Sequence, residues 1–382
     1  MPDDPHIETA NSHKRRFFAF RYLRTFAEKV RERGLAYTIR RAVGLLKDAV
    51  IGGRQGRVAR RIFGGRVPEF SVVNVEVTTF CNLSCAGCQR TIHSEDGAWS
   101  NSHISMENFT KLIDDLPTAR ELIPQGIGEP LLHPQLPELL RYALNSGKFD
   151  SITLTSHGMV RDDDDYLQLF DCGLTTLYFS VDATEPKLAQ QLRAGTNLDV
   201  LMRRIRTLVA RFPGRIAIRT TLGTANLDHL PRLLADLNAI GRLDVYIHPY
   251  DDIGDAEGCM TTAQRLEVAE RLPLLAKQFN NLNVIANGLT PSSETCRWPW
   301  QSPSIKVNGE VTPCCRIMYY RDFNFGNAFE SSFRDVFYSD ETNAWRTRFE
   351  NKRPEVCQGC PWFVEWGELV QLETPSCVPN ST

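Results

Sequence analysis

From Ser71 onward, short apolar runs alternate with longer segments whose apolar residues recur at helical spacing. The short runs predict six strands, at residues 72–80, 121–126, 151–155, 176–181, 215–222 and 243–248. The segments between them have room for helices, for example at 106–116, 136–145 and 200–212. Alternation of this kind is typical of parallel strands joined by crossover helices. It predicts an α/β fold, a partial (β/α)6 TIM-like barrel with its site at the carboxyl ends of the strands.

The pattern is different before the barrel. Residues 14–50 predict one or two amphipathic helices, with an aromatic face opposite Lys and Arg side chains. Gly64, Gly65 and Pro68 then mark a boundary. We therefore assign residues 1–66 to a helical N-terminal extension, residues 67–290 to the barrel, and residues 291–382 to a smaller C-terminal domain and tail.

Charge divides the chain at the same boundary. Residues 13–66 contain 16 Lys and Arg residues against three acidic ones. The local charge is about +13, which leaves about −15 for the rest of the chain. Three roles are open for this basic extension: packing on the acidic body, binding a precursor peptide, or peripheral contact with an anionic membrane. Nucleic-acid binding is not expected, because the negative body opposes it.

The overall composition, 42% hydrophobic and 24% charged, is that of a soluble globular protein. No apolar run reaches the roughly 20 residues of a transmembrane helix. The start, Met-Pro-Asp-Asp-Pro, lacks the apolar stretch of a signal peptide. These features predict a cytoplasmic location. In that reducing compartment, eleven cysteines indicate metal ligation or catalysis in place of disulfides.

Three of the cysteines follow the first predicted strand. Cys81, Cys85 and Cys88 have the spacing C-x3-C-x2-C. Three thiolates leave one iron of a [4Fe–4S] cluster without a protein ligand, and that iron can bind S-adenosylmethionine (SAM). The alternative is a zinc knuckle, which needs a fourth ligand such as His93.

Further motifs at strand ends resemble those of the radical SAM superfamily. Gly126-Ile-Gly128-Glu129-Pro130 is similar to the family's GGEP motif, which implies contact with the amino group of SAM. Ser180-Val-Asp182 resembles the positions that contact the ribose and carboxylate of SAM. Arg193 stands where related enzymes often hold the carboxylate. The resemblance covers residues 72–250 and implies reductive cleavage of SAM to a 5′-deoxyadenosyl radical.

Each of these residues also has an ordinary structural interpretation. Glu129 could be a simple strand-end carboxylate, Ser180 and Asp182 could cap a turn or helix, and Arg193 could be a surface charge. The chain also departs from the family at two places. Gly87 replaces a frequent aromatic residue near adenine, and the third strand ends Thr155-Ser-His157-Gly158 where Thr-Asn-Gly is more usual.

Four more cysteines lie in the C-terminal domain: Cys296, Cys314, Cys357 and Cys360. The segment 304–312 predicts a hairpin that turns at Asn308-Gly309. The spacing resembles the SPASM and twitch extensions of radical SAM enzymes, and the number of cysteines favours the twitch type, with one auxiliary [4Fe–4S] cluster. Cys315 is an alternative ligand to Cys314, and a zinc ribbon is an alternative to the cluster.

The resemblance leaves the reaction open. A fully ligated auxiliary cluster suits electron acceptance, so the first hypothesis is a natural-product oxidoreductase that dehydrogenates a sugar-like small molecule. It would draw electrons from a flavodoxin or ferredoxin. The alternatives are a radical SAM peptide maturase and a sugar epimerase with Cys259 as a catalytic hydrogen donor. A non-catalytic iron–sulfur scaffold would not need the SAM motifs. Cys172 and Cys377 are expected to be a core thiol and a tail residue.

Overall fold

A computed structural model describes residues 70–95, 99–250, 258–289, 296–319, 323–351, 354–357 and 360. The predicted N-terminal extension and Cys377 lie outside these residues. No helix within the described ranges is long and apolar enough to cross a membrane.

The described residues are organised around one large sheet. The strands are β1 (Phe70–Val75), β2 (Ser84–Cys85), β3 (Ala119–Ile123), β4 (Phe149–Ser156), β5 (Thr176–Ser180), β6 (Arg193–Ala194), β7 (Ile216–Leu222), β8 (Leu243–Pro249), β9 (Leu282–Ala286), β10 (Ser304–Ile305) and β11 (Val311–Thr312). Nine of them form the sheet, in the order β11-β10-β1-β3-β4-β5-β7-β8-β9, while β2 pairs with β6. Within the large sheet every neighbouring pair is parallel except β10 with β11. The α/β prediction is confirmed.

Helices connect most of the parallel strands. They are α1 (Gln89–Glu95), α2 (Met106–Asp115), α3 (Leu136–Asn145), α4 (Asp163–Asp171), α5 (Pro186–Leu192), α6 (Leu198–Arg211), α7 (Leu230–Asn238), α8 (Thr262–Ala276), α9 (Trp298–Gln301), α10 (Phe333–Phe337) and α11 (Asp340–Asn351). Local signals start several of them. Asp162 and Asp165 form a capping box before α4, and Thr261 and Gln264 form another before α8.

Side chains alternate across the barrel wall. Leu177 and Phe179 of β5 are fully buried, and Phe179 packs against Tyr166 of α4. Tyr178 and Ser180, on the opposite face of the same strand, are half-buried and face the barrel interior. This period of two places apolar side chains under the helices and polar side chains inside the barrel.

The first strand and the far edge of the sheet differ from the sequence-based expectation. The first strand ends at Val75 and not at residue 80, because the following segment turns away and exchanges backbone hydrogen bonds with residues 102–104. The strand β9 was not predicted. It is an edge strand with no buried side chain, so it lacks the strong apolar signal of its neighbours.

The C-terminal segment continues the barrel sheet. The hairpin forms as expected, with Ser304 opposite Thr312 and Gly309 at a φ of +91°, which favours glycine. Its first strand, β10, pairs in parallel with β1. The ring of Phe70 on β1 also meets the rings of Phe333 and Phe337 edge-on, with centroids 5.9 and 5.2 Å away.

Candidate active site

A cavity of about 510 Å³ opens at the carboxyl ends of the barrel strands. This is the end at which parallel barrels place their active sites. Its lining includes the three clustered cysteines and the polar residues that the sequence singled out: Cys81, Cys85, Cys88, Gly128, Glu129, Ser180, Asp182 and Arg193. The tertiary structure therefore brings all the predicted SAM-site residues to one cavity.

The cysteine loop is shaped by local contacts. The amide of Cys88 donates to the carbonyl of Cys85, and Gly87 between them has a φ of +67°. The short strand β2 pairs antiparallel with β6, which places Cys85 opposite Arg193. These contacts hold three half-buried, free cysteines on one wall of the cavity.

The thiols of this loop are in an environment that favours the neutral form. Burial raises the pKa of Cys81 to about 11. Burial also raises the pKa of Cys85, while the nearby charge of Arg193 acts in the opposite direction. Because a metal ligand must be a thiolate, iron would have to displace these protons on binding.

Glu129 is the most deeply buried carboxylate of the cavity, with 2% of its surface exposed. Its Oε1 accepts from the amide of Leu131 at 3.2 Å, and its Oε2 accepts from the amide of His157 at 2.9 Å. Burial raises the pKa of Glu129 to about 7, although these hydrogen bonds oppose the shift. The carboxyl group is therefore held in one orientation and is close to changing its charge at neutral pH.

His157 accompanies this carboxyl group as a neutral side chain. Its Nε2 lies 3.2 Å from Oε2 of Glu129. Burial and the cations Arg193 and Arg204 lower the pKa of His157 to about 3, so the contact is not an ion pair. The Nδ1 atom accepts from the amide of Met159, which leaves the proton on Nε2.

The backbone beside Glu129 approaches the cysteine loop closely. A Cβ atom added to Gly128 would lie 2.4 Å from the carbonyl oxygen of Thr78 and 2.7 Å from that of Phe80. One added to Gly126 would lie 2.2 Å from the side chain of Glu76. A Cβ atom at either position would overlap with these neighbours, so both positions favour glycine.

Asp182 and Arg193 form an ion pair in the cavity wall. The guanidinium Nε of Arg193 donates to Oδ2 of Asp182 at 2.6 Å, and the amide of Thr221 donates to Oδ1 at 2.8 Å. Burial alone would lower the pKa of Arg193, but Asp182 and the thiols of Cys85 and Cys88 raise it. Arg193 is thus a fixed cation beside the cysteine loop and not a free surface charge.

Sequence reasoning missed three further side chains of this cavity. Tyr250, after β8, occupies the space next to Gly87, since its hydroxyl lies 1.6 Å from where a Cβ of Gly87 would be. Asn226 donates to the carbonyls of Asp182 and Thr221, both at 2.9 Å. Arg219 of β7 faces the cavity from the barrel interior. The glycine at position 87, where the family often has an aromatic residue, was the one sequence feature that could have suggested an aromatic side chain from elsewhere. Asn226 and Arg219 come from segments without a recognisable motif.

Neither His93 nor Cys259 lines this cavity. His93 borders a neighbouring cavity of about 230 Å³ and lies 3.0 Å from Oε1 of Gln89. Cys259 is 6% exposed and follows Gly258 in the cavity wall. Its Sγ lies 3.8 Å from the carbonyl oxygen of Tyr250. The donor role of Cys259 stays a prediction.

The C-terminal cysteines come from separate elements. Cys296 precedes α9, Cys314 and Cys315 follow β11, Cys357 ends a short 3-10 turn, and Cys360 comes shortly after it. Burial raises the pKa of Cys314 well above its usual value, and Cys315, Cys357 and Cys360 add to the effect. Burial also raises the pKa of the Cys315 thiol, while the charge of Arg219 acts in the opposite direction. Cys172 is a buried thiol at the end of α4, as expected for a core residue.

Among the described residues, no three His, Cys, Asp or Glu side chains converge as ligands of a single metal ion. The thiolates of a [4Fe–4S] cluster each hold a different iron, so they surround the cluster and do not meet at one point.

Comparisons with known families match this arrangement. Residues 75–237 match the radical SAM superfamily, and residues 296–361 match SPASM, an iron–sulfur cluster-binding domain. The chain belongs to the radical SAM superfamily and carries a C-terminal SPASM-type domain. These two domains imply SAM and two [4Fe–4S] clusters as cofactors.

Two sequence relatives match three quarters or more of this chain. The tungsten-containing aldehyde ferredoxin oxidoreductase cofactor-modifying protein of Pyrococcus furiosus is 22% identical, over 75% of this chain and 86% of the relative. A PqqA peptide cyclase of Xanthomonas axonopodis is 26% identical, over 78% of this chain and 82% of the relative.

Among solved structures, Streptococcus suis SuiB bound to S-adenosylmethionine has a TM-score of 0.64 at 14% identity and covers 93% of this chain and 91% of its own. SuiB bound to precursor peptide SuiA has a TM-score of 0.62 at 15% identity, over 86% of this chain and 79% of its own. At these identities the likeness shows the fold: a partial barrel with a C-terminal iron–sulfur domain.

The first site fits the cofactors. Three thiols face one cavity, a cation stands beside two of them, and a glycine backbone that a Cβ would obstruct lines the same space.

Proposed function

We propose that this protein is a radical SAM enzyme that modifies a peptide substrate. The observation that carries the proposal is the similarity to PqqA peptide cyclase over 78% of this chain and 82% of the relative. The fold likeness to SuiB, which has been solved with its precursor peptide, agrees with it. These comparisons favour the peptide maturase hypothesis over the sugar-like dehydrogenase that the sequence analysis placed first.

A second candidate substrate is a small molecule. The Pyrococcus furiosus relative is named as a cofactor-modifying protein, so a substrate without a peptide backbone has support from one relative. In both cases the chemistry begins with hydrogen abstraction, and the identity of the substrate decides between them.

Within this proposal, residues of the cavity hold the first cluster and SAM. Cys81, Cys85 and Cys88 ligate the cluster, which when bound supplies the electron that cleaves SAM to methionine and the hydrogen-abstracting 5′-deoxyadenosyl radical. Glu129 would accept a hydrogen bond from the amino group of SAM. Arg193, which Asp182 holds at 2.6 Å, would bind the carboxylate of SAM.

Cys296, Cys314, Cys357 and Cys360 hold the auxiliary cluster. We favour Cys314 over Cys315 because Cys314 stands at the Gly309-x4-Cys314 spacing that resembles the SPASM and twitch extensions. If all four thiolates were ligands, no iron of this cluster would remain open for substrate. The chemistry that such a cluster would supply is acceptance of one electron from the oxidised substrate.

Co-expression tests the proposal. The chain would be produced with each short peptide encoded beside its gene, and the peptides would be isolated and examined by mass spectrometry. A cross-link or an oxidation removes two hydrogen atoms from the peptide. The Cys85→Ala variant, which lacks a ligand of the first cluster, is the matched control. If only a small molecule is converted, and no neighbouring peptide changes in mass, the peptide proposal is wrong.

Deuterium distinguishes oxidation from epimerisation once a substrate is known. An oxidised product formed in D2O should carry no deuterium at the reacting carbon. A product one mass unit heavier, together with loss of turnover in Cys259→Ala, would instead support the epimerase alternative.

A further inference from the structure

Arg219 is a cation of the barrel interior that has no anionic partner among the described residues. It lies opposite Ser180 in the β5–β7 register and lines the cavity. Its guanidinium carbon stands 4.3 Å from the centroid of the Tyr178 ring. The Nε atom is buried, and Arg219 donates no hydrogen bond and forms no ion pair within the part of the chain that the structure describes. Its charge is therefore in contact with an aromatic ring and with no carboxylate of these residues.

The titratable side chains around Arg219 do not balance its charge. Burial raises the pKa of Tyr178 to about 12, and burial together with the charge of Arg219 lowers the pKa of His248 to about 4, so both are neutral at pH 7. The carboxylate of Glu121 accepts instead from the hydroxyl of Thr153 at 2.6 Å. A partly buried cation without an anion is unfavourable, and the contact with an aromatic ring offsets only part of that cost. We therefore expect a bound molecule to supply the anion.

Arg219 lies deeper in the barrel than Arg193, the cation assigned to SAM. The amide of Thr221, two residues further along β7, donates to Oδ1 of Asp182 at 2.8 Å, and Asp182 holds Arg193. Two residues of a strand span about 7 Å. The guanidinium of Arg219 stays at the lower level, because it lies over Tyr178. Arg193 thus belongs to the rim beside the cysteine loop, and Arg219 to the interior beyond it.

A second polar group of the same wall also lacks a partner. Thr155 of β4 lies beside Tyr178 in the β4–β5 register and lines the cavity. Its Oγ1 atom is buried and has no hydrogen-bond partner among the residues described. Because β5 lies between β4 and β7 in the sheet, Thr155 and Arg219 flank the same tyrosine. Buried polar groups are normally hydrogen-bonded, so this wall is built for a polar molecule that meets both a cation and a hydroxyl.

We infer that Arg219 is a specificity-determining residue that binds a carboxylate of the substrate. The inference rests on the proposed function, under which this carboxylate is an Asp or Glu side chain of the peptide or its C-terminus. A planar guanidinium can give two parallel hydrogen bonds to a carboxylate. A neutral group in the same place would leave the cation of this wall without an anion, so Arg219 selects acidic over neutral substrates.

Short capped peptides test the inference without knowledge of the natural substrate. The probes are N-acetyl-Gly-Glu-Gly-amide and N-acetyl-Gly-Gln-Gly-amide, which differ only in the charged group, and N-acetyl-Gly-Gly-Gly, whose C-terminal carboxylate is free. Equilibrium dialysis measures their binding to the anaerobically reconstituted full-length protein with saturating SAM and no reductant, so that SAM stays intact. We expect the Glu probe to bind about tenfold more tightly than the Gln probe, as a hydrogen bond between charged groups allows. A similar gain for the free C-terminus would identify that group as the natural carboxylate.

Variants of Arg219 assign the preference to its guanidinium. Arg219→Gln and Arg219→Met should bind the Glu and Gln probes equally, and Arg219→Lys should keep part of the preference. Arg271→Gln is the charge-matched control. Arg271 is exposed on α8 and pairs with Glu267 at 2.8 Å, so its loss changes the net charge equally and should leave the preference intact.

Three results would overturn the inference. The first is a wild-type protein that binds charged and neutral probes equally, or binds none of them. The second is a preference that persists in Arg219→Gln and Arg219→Met. The third is loss of SAM binding in these variants at full iron content, which would assign the guanidinium to SAM. If both neutral variants fail to hold iron, Arg219→Lys decides: a preference below that of Arg271→Gln supports the inference, and an equal one overturns it.

Failure of this test is distinguishable from failure of the peptide proposal. Glutarate and glutaramide, added as further probes, carry the same contrast of charge without an amino-acid backbone. A preference for glutarate that depends on Arg219, together with no modified peptide in the co-expression experiment, would keep the carboxylate role of Arg219 and reject the peptide. Modified peptides together with equal binding of all charged and neutral probes would keep the peptide and reject the role of Arg219.

Discussion

The two cysteine groups of this protein are built in opposite ways. Cys81, Cys85 and Cys88 lie within eight residues on one loop, whose shape comes from its own hydrogen bonds and from the β2–β6 pair. The C-terminal cysteines are spread over residues 296–360 and come from separate elements. The first group is therefore a local structure that the barrel supports, whereas the second exists only while the C-terminal segment is packed.

The charge beside the first group is also fixed locally. Arg193 stands opposite Cys85 in the β2–β6 pair and is held by Asp182 at 2.6 Å. Local pairing thus fixes a positive charge beside the first cysteine group.

The largest expected effect is that of Cys85→Ala. This change removes a ligand of the first cluster, and we expect SAM cleavage to fall to background. Anaerobic incubation with SAM and dithionite, with 5′-deoxyadenosine quantified by mass spectrometry, measures it. Cys172→Ala, in the core thiol outside both groups, is the control and should cleave normally. Cleavage retained in Cys85→Ala would remove Cys85 from the cluster.

Cys357→Ala should remove the second cluster and leave the first cluster in place. Wild-type protein should bind about eight iron atoms and this variant about four, because only the second cluster is lost. Uncoupled SAM cleavage should persist while product formation stops. Iron analysis and the 5′-deoxyadenosine assay, on protein shown to be folded by circular dichroism, provide the measurements. Equal loss of cleavage in a folded variant would contradict the electron-acceptor role.

Phe337→Ala tests the packing of the C-terminal segment without touching a cysteine. Phe337 is fully buried, contacts the rings of Phe70 and Phe333, and lies under the guanidinium of Arg346 at 4.1 Å. Its truncation should cost about 3–5 kcal/mol of stability. We expect the auxiliary cluster to be lost more readily than the first on heating, followed by visible absorbance and iron release. Simultaneous loss of both clusters would show that the groups are not independent.

Glu129 should make SAM binding pH-dependent. Its pKa of about 7 means that the carboxyl group is mostly protonated at pH 6 and mostly ionised at pH 8. Since the ionised form accepts hydrogen bonds better, SAM should bind more tightly at pH 8, by several-fold. Equilibrium dialysis of reconstituted protein at the two pH values measures this. Glu129→Gln should bind more weakly and lose the difference; a difference that persists belongs to another group.

The smallest effect is expected for His93→Ala. The His93 ring borders the neighbouring cavity and not the one that the cysteines line. Iron content and SAM cleavage should therefore stay close to wild type. A large loss of metal, or zinc in place of iron in the purified protein, would revive the zinc-knuckle alternative for the first group.

Much of the fold could be predicted because its signals are local. The strand β7 (Ile216–Leu222) lies within the predicted range 215–222, and the helix α3 (Leu136–Asn145) has the predicted bounds, since period-two and helical apolar patterns are properties of short segments. The seventh parallel strand escaped this method because Leu282–Ala286 is half exposed at the sheet edge. The apolar pattern from which a strand is predicted arises where the strand buries its side chains, and this strand buries none.

The sequence by itself determined the first cysteine group and the motifs Gly126–Pro130 and Ser180–Asp182. The residues of each group lie close together in the chain, so their spacing can be recognised without a structure. Only the tertiary structure placed Tyr250 against Gly87, Asn226 against Asp182, and Arg219 over Tyr178 in the cavity wall. These contacts join residues from different strands. They form when parallel strands align their carboxyl ends, so no spacing along the chain could have revealed them.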